Sequence, residues 1–470
     1  MSKIRDDALS MIWYGGRLSQ QYIVDNYVKI ETHKLRWFEH NQDSIRADLY
    51  QGLQDAFHEG ESDTGNVGHR TILPSSFVGS PRDMIQRFQD AMSLVQKFGK
   101  PDLFITMTCN LGWEEIQNEL LLAQTAQDRP DLLARVFKSK FEELKDDIVV
   151  KGVLGRVIVY VQVFEFQKRG LPHAHMLIIL DEGDKLHNPE DYDRVVKAEI
   201  PCKDEQPQLH NAVLKHMTHG PCRAQNPRSP CMKNGRCKKG FPKPFSPETY
   251  QGNDSYPVYK QYDTNNPVPL NDHCRIMVDN SWVVPYNPWL LLKYNCHINV
   301  EVCCSIKSVK YLYKYVYKGP DRVSMEVRPG PNYDEVQQYI DARWVCAPEA
   351  CWKIFSFPMY RMYPAVFRLQ IHLLDRQQVR FRPHEPITNV LERSKKIMLT
   401  EFFYMNMIDH DARNYLYREF PEHYCWDYKN KTWTRRRSHK KVVGRIYTIS
   451  PFDGEKFNLR VLLNHVKGPT

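Results

Sequence analysis

Two histidines separated by one small residue, His173 and His175, open the apolar run of G-L-P-H-A-H-M-L-I (Gly170–Ile178). In a strand, residues two apart share a face. Both imidazoles then point the same way, with Leu177 and Ile179 continuing that face. Upstream, V-I-V-Y-V-Q-V-F-E-F-Q (Val157–Gln167) alternates as a second strand, and Lys-Arg-Gly-Leu-Pro between the two reads as a tight turn. Folded as a hairpin, the odd-numbered face of that strand brings Glu165 or Gln167 beside the histidines. Two imidazoles and one oxygen donor form a three-ligand site with open positions, able to hold a divalent ion and to orient and polarise a phosphate. A carboxylate is the harder ligand for a magnesium-like ion, which favours Glu165 and leaves Gln167 as the alternative. A pair of partly buried, hydrogen-bonded structural histidines would leave the same His-X-His in the sequence.

The second stretch with chemical content is K-Y-L-Y-K-Y-V-Y-K-G (Lys310–Gly319). In a helix, Tyr311 and Tyr315 share a face, and Lys314 and Lys318 repeat the spacing beside them. Gly319-Pro320 would end that helix. Tyrosine can serve as a covalent nucleophile. With an ordinary pKa of about 10 it needs help, which a metal-polarised phosphate and charge-stabilising lysines supply. An aromatic core helix or a base-stacking surface is the other reading.

Two further groups stand out. In H-M-T-H-G-P-C-R-A-Q-N-P-R-S-P-C-M-K-N-G-R-C (His216–Cys237), Cys222, Cys231 and Cys237 with His219 or His216 make a candidate tetrahedral zinc site. The spacing is irregular, but a Gly/Pro-rich loop with little core of its own benefits from such a clip. Reduced cysteines in a loop would look alike. In K-N-K-T-W-T-R-R-R-S-H-K-K, the residues Lys429, Lys431, Arg435, Arg436, Arg437, Lys440 and Lys441 surround Trp433. That pattern suits a DNA backbone and a stacked base, and equally a solvated face or a nuclear-import signal. Lys238, Lys239 and Lys243 add charge beside the cysteine loop, and the adjacent Cys303 and Cys304 read as packing residues.

The chain that must position these groups has 470 residues, enough for roughly two to four domains. It is 42% hydrophobic and 26% charged, which supports a folded core, and its net charge of +9 favours a polyanionic partner. The first residues, M-S-K-I-R-D-D-A-L-S, do not read as a secretory leader. No segment approaches the roughly 18 consecutive apolar residues of a membrane helix. The expectation is a soluble, intracellular protein without a membrane partner, whose cysteines are thiols or ligands. Periodicity predicts helices over 17–58, 81–98, 113–124, 129–149 and 305–318, and strands over 103–109, 155–167 and 172–181. A loop-rich segment covers 185–275, strand-like pieces 276–305 and a linker 375–390. The tail from 391 carries one helix and then aromatic, basic, strand-like sequence.

Taken in order, F-I-T-M-T-C-N (Phe104–Asn110), E-F-Q-K-R-G-L-P-H-A-H (Glu165–His175) and Y-L-Y-K-Y-V-Y-K-G (Tyr311–Gly319) resemble the replication-initiator nuclease region of Helitron transposases. That region, the Helitron helicase-like N-terminal domain, belongs to the His-hydrophobe-His (HUH) endonucleases with two tyrosines. R-A-D-L-Y-Q-G-L, H-G-P-C, F-P-K-P-F and the terminal L-N-H-V-K-G-P-T extend the resemblance to nearly the whole chain. It implies an α+β fold: a central antiparallel sheet, the HUH palm, flanked by helices, with a loop-rich Cys/His insertion and extra helical and C-terminal regions. It implies a helical, DNA-contacting region over 1–98, a nuclease core over 99–320 with the insertion at about 185–275, an extension and linker over 321–390, and a basic region over 391–470. His173 and His175 match the pair that holds Mg²⁺ or Mn²⁺, with Glu165 or Gln167 as third ligand, and Tyr311 and Tyr315 match the nucleophiles. Thr106, Thr108 and Asn110 are expected to support the site or touch DNA. The implied activity is cleavage and rejoining of single-stranded DNA at transposon ends and target through a 5′-phosphotyrosine, in the nucleus. Its partner would be a helicase domain, for which these 470 residues carry no G-x-x-x-x-G-K-[S/T] loop. A non-catalytic DNA-binding remnant of such a transposase is the alternative, and an RNA-binding protein that stacks bases on its tyrosines is a third reading.

Overall fold

Apolar, β-branched and aromatic runs build the central sheet of the computed structural model, which describes residues 15–42, 71–166, 170–220, 222–224, 226–252, 256–270, 276–305, 334–373 and 396–470. The strands are β1 (Leu103–Thr108), β2 (Val157–Phe166), β3 (Pro172–Leu180), β4 (Ile298–Val302) and β5 (Tyr360–Tyr363), in the spatial order β4-β1-β3-β2-β5. The β1–β3, β2–β3 and β1–β4 pairings are all antiparallel. Gln167, the expected helix at 305–318 with Tyr311, Lys314, Tyr315 and Lys318, and the linker at 375–390 lie outside the described residues.

One face of this sheet is apolar. Ile105 and Met107 of β1, Phe164 and Phe166 of β2, Ala174, Met176 and Ile178 of β3, and Ile298 and Val300 of β4 all enter one core. Against them pack Phe137 and Phe141 of α1 (Pro130–Lys145) and Trp352 at the helix Ala347–Ile354. Phe164 sits at the centre, with ring centroids 4.8 Å from Phe141 and 4.7 Å from Trp352. Each such buried aromatic contributes about 2–3 kcal/mol. All nine residues of β3 are buried.

Both ends of β1 are fastened. At its start, the buried carboxylate of Asp102 accepts the Leu180 N–H at 2.8 Å, and burial raises its pKa. At its far end, the Asn110 side chain donates to the Asn295 carbonyl and the Trp113 indole to the Tyr294 carbonyl, both at 2.7 Å. Those carbonyls close α2 (Pro288–Tyr294), which ends on Asn295 in the left-handed region and delivers the chain to β4. A π turn, Asp146–Val150, follows α1 and holds Asp147, fully buried, against Lys151 at 2.8 Å and against Lys293 and Tyr294 of α2.

Several elements differ from expectation. The helix over 113–124 is only Glu114–Gln117, because Ala123 takes φ +66° and Leu122 is fully exposed, breaking an apolar face. The helix expected over 129–149 is present, as α1 continued by the π turn Asp146–Val150. Arg17–His40 is the described extent of the helix expected over 17–58, and Tyr22 and Ile30 lie exposed rather than in its buried stripe. The 185–275 segment contains helices Pro189–Val195 and Pro207–His216. α2 lies between the strand-like pieces of 276–305, where no helix was expected, since seven residues are too few to display a 3.6-residue period. Besides Met398–Ile408, the tail carries the helices Phe420–His423 and Glu455–His465 among the described residues.

The chain divides into two compact units, Met1–His33, Phe98–Ser324 and Ala342–Arg361 in one, and Lys34–Lys97, Met325–Asp341 and Met362–Thr470 in the other. The first contains the sheet face described above. The second is built on parallel strands Ala365–Leu369 and Val442–Ile446, a hairpin of Tyr424–Asp427 with Thr432–Arg435, and an aromatic core of Phe402, Tyr417, Phe420 and Trp433. Its buried Asp90 is bound by Arg368 and Arg445, each at 2.7 Å. Gly444 there admits no side chain, since a Cβ would come 2.0 Å from the Arg418 carbonyl oxygen. Among the described residues, no helix is long and apolar enough to cross a membrane.

The Asp147 hub makes a pH-dependent contribution. Burial opposes its charge, but hydrogen bonds from Lys151, Lys293 and Tyr294 outweigh that and hold its pKa at about 2. A depressed carboxylate stabilises the fold fully above its unfolded pKa of about 3.9 and loses that effect as pH falls through 2, roughly 2 kcal/mol in all. Asp147→Asn should therefore lower the thermal midpoint at neutral pH and lose most of that deficit near pH 2. Thermal unfolding of both proteins at the two pH values checks this, and an equal deficit at both would contradict it.

Candidate metal centres

The antiparallel register sets each threonine of β1 directly opposite a histidine of β3: Thr106 faces His175 and Thr108 faces His173. The hydroxyls use that proximity. Thr108 Oγ1 lies 2.7 Å from His173 Nδ1, and Thr106 Oγ1 lies 3.0 Å from His175 Nδ1. Phe104, two residues earlier on the same face, stacks parallel to the His175 ring at 5.7 Å. The rings are held in place, and the tautomer that donates Nδ1–H to threonine carries its lone pair on Nε2.

From the other side, β2 places Glu165 opposite His173. Its Oε2 lies 3.6 Å from His175 Nε2, too far for a good hydrogen bond and near the ~3 Å that separates neighbouring ligands of one octahedral ion. Three adjacent strands thus carry the group: the threonines on β1, the two histidines on β3 and Glu165 on β2. Imidazole nitrogens and a carboxylate oxygen are donor types that divalent ions take. The structure sets Glu165 3.6 Å from His175 and across from His173 in register, with Thr106 and Thr108 behind the two histidines. Asn110 is outside the group: its amide bridges Gly112 and Asn295 and fastens the end of β1.

The polar face continues onto β4, where sequence reading assigned no role. Asn299 stands opposite Thr106, and Glu301 opposite Phe104. Burial raises the Glu301 pKa to about 7 against the pull of Asn299 and Tyr259. The signal was present, since His297, Asn299 and Glu301 alternate with Ile298, Val300 and Val302 exactly as the β3 histidines alternate with apolar residues. His297 is anchored by Nδ1 at 2.7 Å from the His216 carbonyl oxygen, and burial lowers its pKa.

A second cluster lies away from this face. The ligand atoms of His219, Cys222, Cys231 and Cys237 all fall within 4.8 Å of one another, so the group can hold a metal ion. His219 is the histidine involved, with Nε2 3.5 Å from Cys237 Sγ; His216 instead meets the Asn295 side chain at 2.8 Å. A hairpin brings Cys231 to Cys237. Met232–Lys233 pairs with Arg236–Cys237 across Asn234-Gly235, both at positive φ as a two-residue hairpin turn requires. The His219 ring stacks on Phe241 at 4.3 Å, and burial first, then Lys239 and Lys243, lower its pKa and favour the neutral, ligating form.

The basic stretch of the second unit needs one correction. Trp433 is 3% exposed, packed on Phe420 at 5.2 Å with its indole N–H on the Met398 carbonyl, and offers no face to a base. The strand alternation that makes Thr432–Arg435 a hairpin partner turns the tryptophan inward. Arg435 is held by Asp409 at 3.0 Å and by Asp411 at 2.5 Å, and Arg436 donates to the Pro421 carbonyl. Lys429, Arg437, Lys440 and Lys441 are exposed and Lys431 is half-buried. The exposed aromatic here is Tyr428, at the hairpin turn.

Compared with known proteins, residues 1–178 match a family model described as the Helitron helicase-like domain at the N-terminus. The match covers β1, Glu165 and both histidines and ends inside β3. No curated protein matches the chain.

The threonine contacts make a specific claim about metal affinity. Thr108→Val keeps shape and removes the hydroxyl, so it should weaken Mn²⁺ binding by roughly 10–100-fold while lowering the thermal midpoint only by the few degrees that a loss of about 1 kcal/mol implies. Titration calorimetry with Mn²⁺ reads the change, and unaltered affinity would mean the hydroxyl does not orient a ligand.

Proposed function

We propose that this Helitron-related chain is the metal-dependent single-stranded DNA endonuclease and strand transferase of a rolling-circle transposase, with its five-stranded sheet serving as an HUH palm. The observation that carries this reading is the convergence of His173, His175 and Glu165 on one face of three adjacent strands, with both Nδ1 atoms on threonine hydroxyls. A bound Mg²⁺ or Mn²⁺ would polarise the scissile phosphate there.

The residues of the chain would do the rest. Tyr311 or Tyr315 attacks the phosphorus, the Tyr–O–P bond forms and the bond to the 3′ oxygen breaks. The tyrosine proton is taken up as the 3′-hydroxyl forms. Lys314 and Lys318 stabilise the charge that gathers on the phosphate oxygens. Attack by a second 3′-hydroxyl reverses the step and joins strands, and two tyrosines handle two covalent ends. Single-stranded DNA at transposon ends and target is the substrate. Lys429, Lys431, Arg437, Lys440 and Lys441 are its backbone contacts in the second unit. A helicase domain is the functional partner, and the nucleus the site of action.

Incubation with labelled single-stranded oligonucleotides and Mn²⁺ tests the reading. The outcome expected is an EDTA-sensitive covalent adduct on Tyr311 or Tyr315, lost in the Tyr311→Phe/Tyr315→Phe double variant and slowed roughly a thousandfold in His173→Ala, the equivalent of several kcal/mol of transition-state stabilisation. DNA binding should persist in the phenylalanine variant. Binding without any adduct in the parent protein would leave a non-catalytic DNA-binding remnant as the function.

A further inference from the structure

The cysteine cluster lies in a segment of unusual charge. Residues 217–245, M-T-H-G-P-C-R-A-Q-N-P-R-S-P-C-M-K-N-G-R-C-K-K-G-F-P-K-P-F, contain seven lysines and arginines and no acidic residue. Lys233, Arg236, Lys238 and Lys239 are all exposed, at or just beyond the Asn-Gly hairpin. Like charges at this density repel, and little core opposes them: among the described residues the segment's own cluster is the buried Cys222, Cys237 and Phe241 with the partly buried Cys231, Met232, Trp282 and Val284. Something else must hold the segment closed.

The geometry supplies it. Both ends are pinned to the same turn, His219 N–H to the Trp282 carbonyl and Lys243 N–H to the Ser281 carbonyl, each at 2.8 Å. Between these anchors, three thiols and one imidazole converge within 4.8 Å. A disulfide would pair two of the thiols and strand the third, and all three are free. Three sulfurs and one nitrogen, with no oxygen ligand, make a closed tetrahedral donor set of the kind that selects zinc over magnesium or manganese.

We propose that His219, Cys222, Cys231 and Cys237 hold a structural zinc ion, and that the knuckle this ion closes grips the phosphate backbone of single-stranded DNA through Lys233, Arg236, Lys238 and Lys239. Zinc with three thiolates adds one negative charge, so the segment keeps a charge of about +6 when loaded. The proposal takes its nucleic acid from the proposed function but not its chemistry: the zinc centre is closed and takes no part in cleavage.

Three readouts on the full chain test it. The purified protein should contain one zinc per chain, and cobalt substitution should give the visible bands of tetrahedral thiolate-bound Co²⁺. Cys231→Ser/Cys237→Ser should lose both, and His173→Ala/His175→Ala should keep both. A Lys233→Ala/Arg236→Ala/Lys238→Ala/Lys239→Ala variant should keep its zinc yet bind single-stranded DNA with a shallower dependence on salt. The slope of log K against log salt should fall by about 2–3, given roughly 0.7 per neutralised phosphate. Absence of zinc, or an unchanged slope in the zinc-loaded variant, overturns the proposal. A missing tyrosine adduct would sink the nuclease reading alone, since neither zinc content nor the salt slope depends on cleavage.

Discussion

Everything at the candidate nuclease centre depends on one constraint, the register of β3 between β1 and β2. A strand's faces alternate, so a slip of one residue would carry His173 and His175 into the core and bring Ala174 and Met176 to the polar face. What forbids the slip is the apolar face. Met176 and Ile178 pack with Phe137, Phe141 and Trp352 in one core, and exposing such side chains costs about 1.5–3 kcal/mol each. The Thr–His hydrogen bonds are worth about 1 kcal/mol apiece. The core therefore fixes the register, and the hydroxyls orient rings that the core has already placed.

The fastenings at the strand ends serve the same constraint. Asp102 ties the start of β1 to the end of β3, while Asn110 and Trp113 tie its other end to the close of α2. Asp147 then binds α2 to the end of α1, the helix that covers the apolar face. A chain of buried polar contacts thus links the helix behind the sheet to the strand that carries Asn299 and Glu301. The two metal-type centres divide by donor chemistry: an open set of nitrogen and oxygen on the sheet, and a closed set of sulfur and nitrogen in the loop.

Much of the site could be read from the sequence because it is written in period two. V-F-E-F and P-H-A-H each alternate, and the antiparallel pairing of the two strands puts Glu165 across from His173. The same alternation in H-I-N-V-E-V was visible, but without a histidine pair it carried no chemical label, and Asn299 and Glu301 went unassigned. His219 could not be separated from His216 by spacing, because a hairpin, and not a C-x-x-C repeat, assembles the cysteines. Trp433 was misjudged for the opposite reason: charged neighbours suggested a surface, while the hairpin register sent the indole inward. α2 was missed because its identity lies in caps, Asn287 before Pro288 and Asn295 after Tyr294, rather than in a periodic stripe.

The account stands or falls on whether one ion joins β2 and β3. Diffraction from crystals of the chain grown with Mn²⁺, recorded so as to locate manganese by its anomalous scattering, asks this directly. The account predicts a single strong manganese peak on the polar face, about 2–2.3 Å from His173 Nε2, His175 Nε2 and a Glu165 carboxylate oxygen. A face with no manganese, or a manganese bound elsewhere while these three side chains stay apart from it, would contradict it.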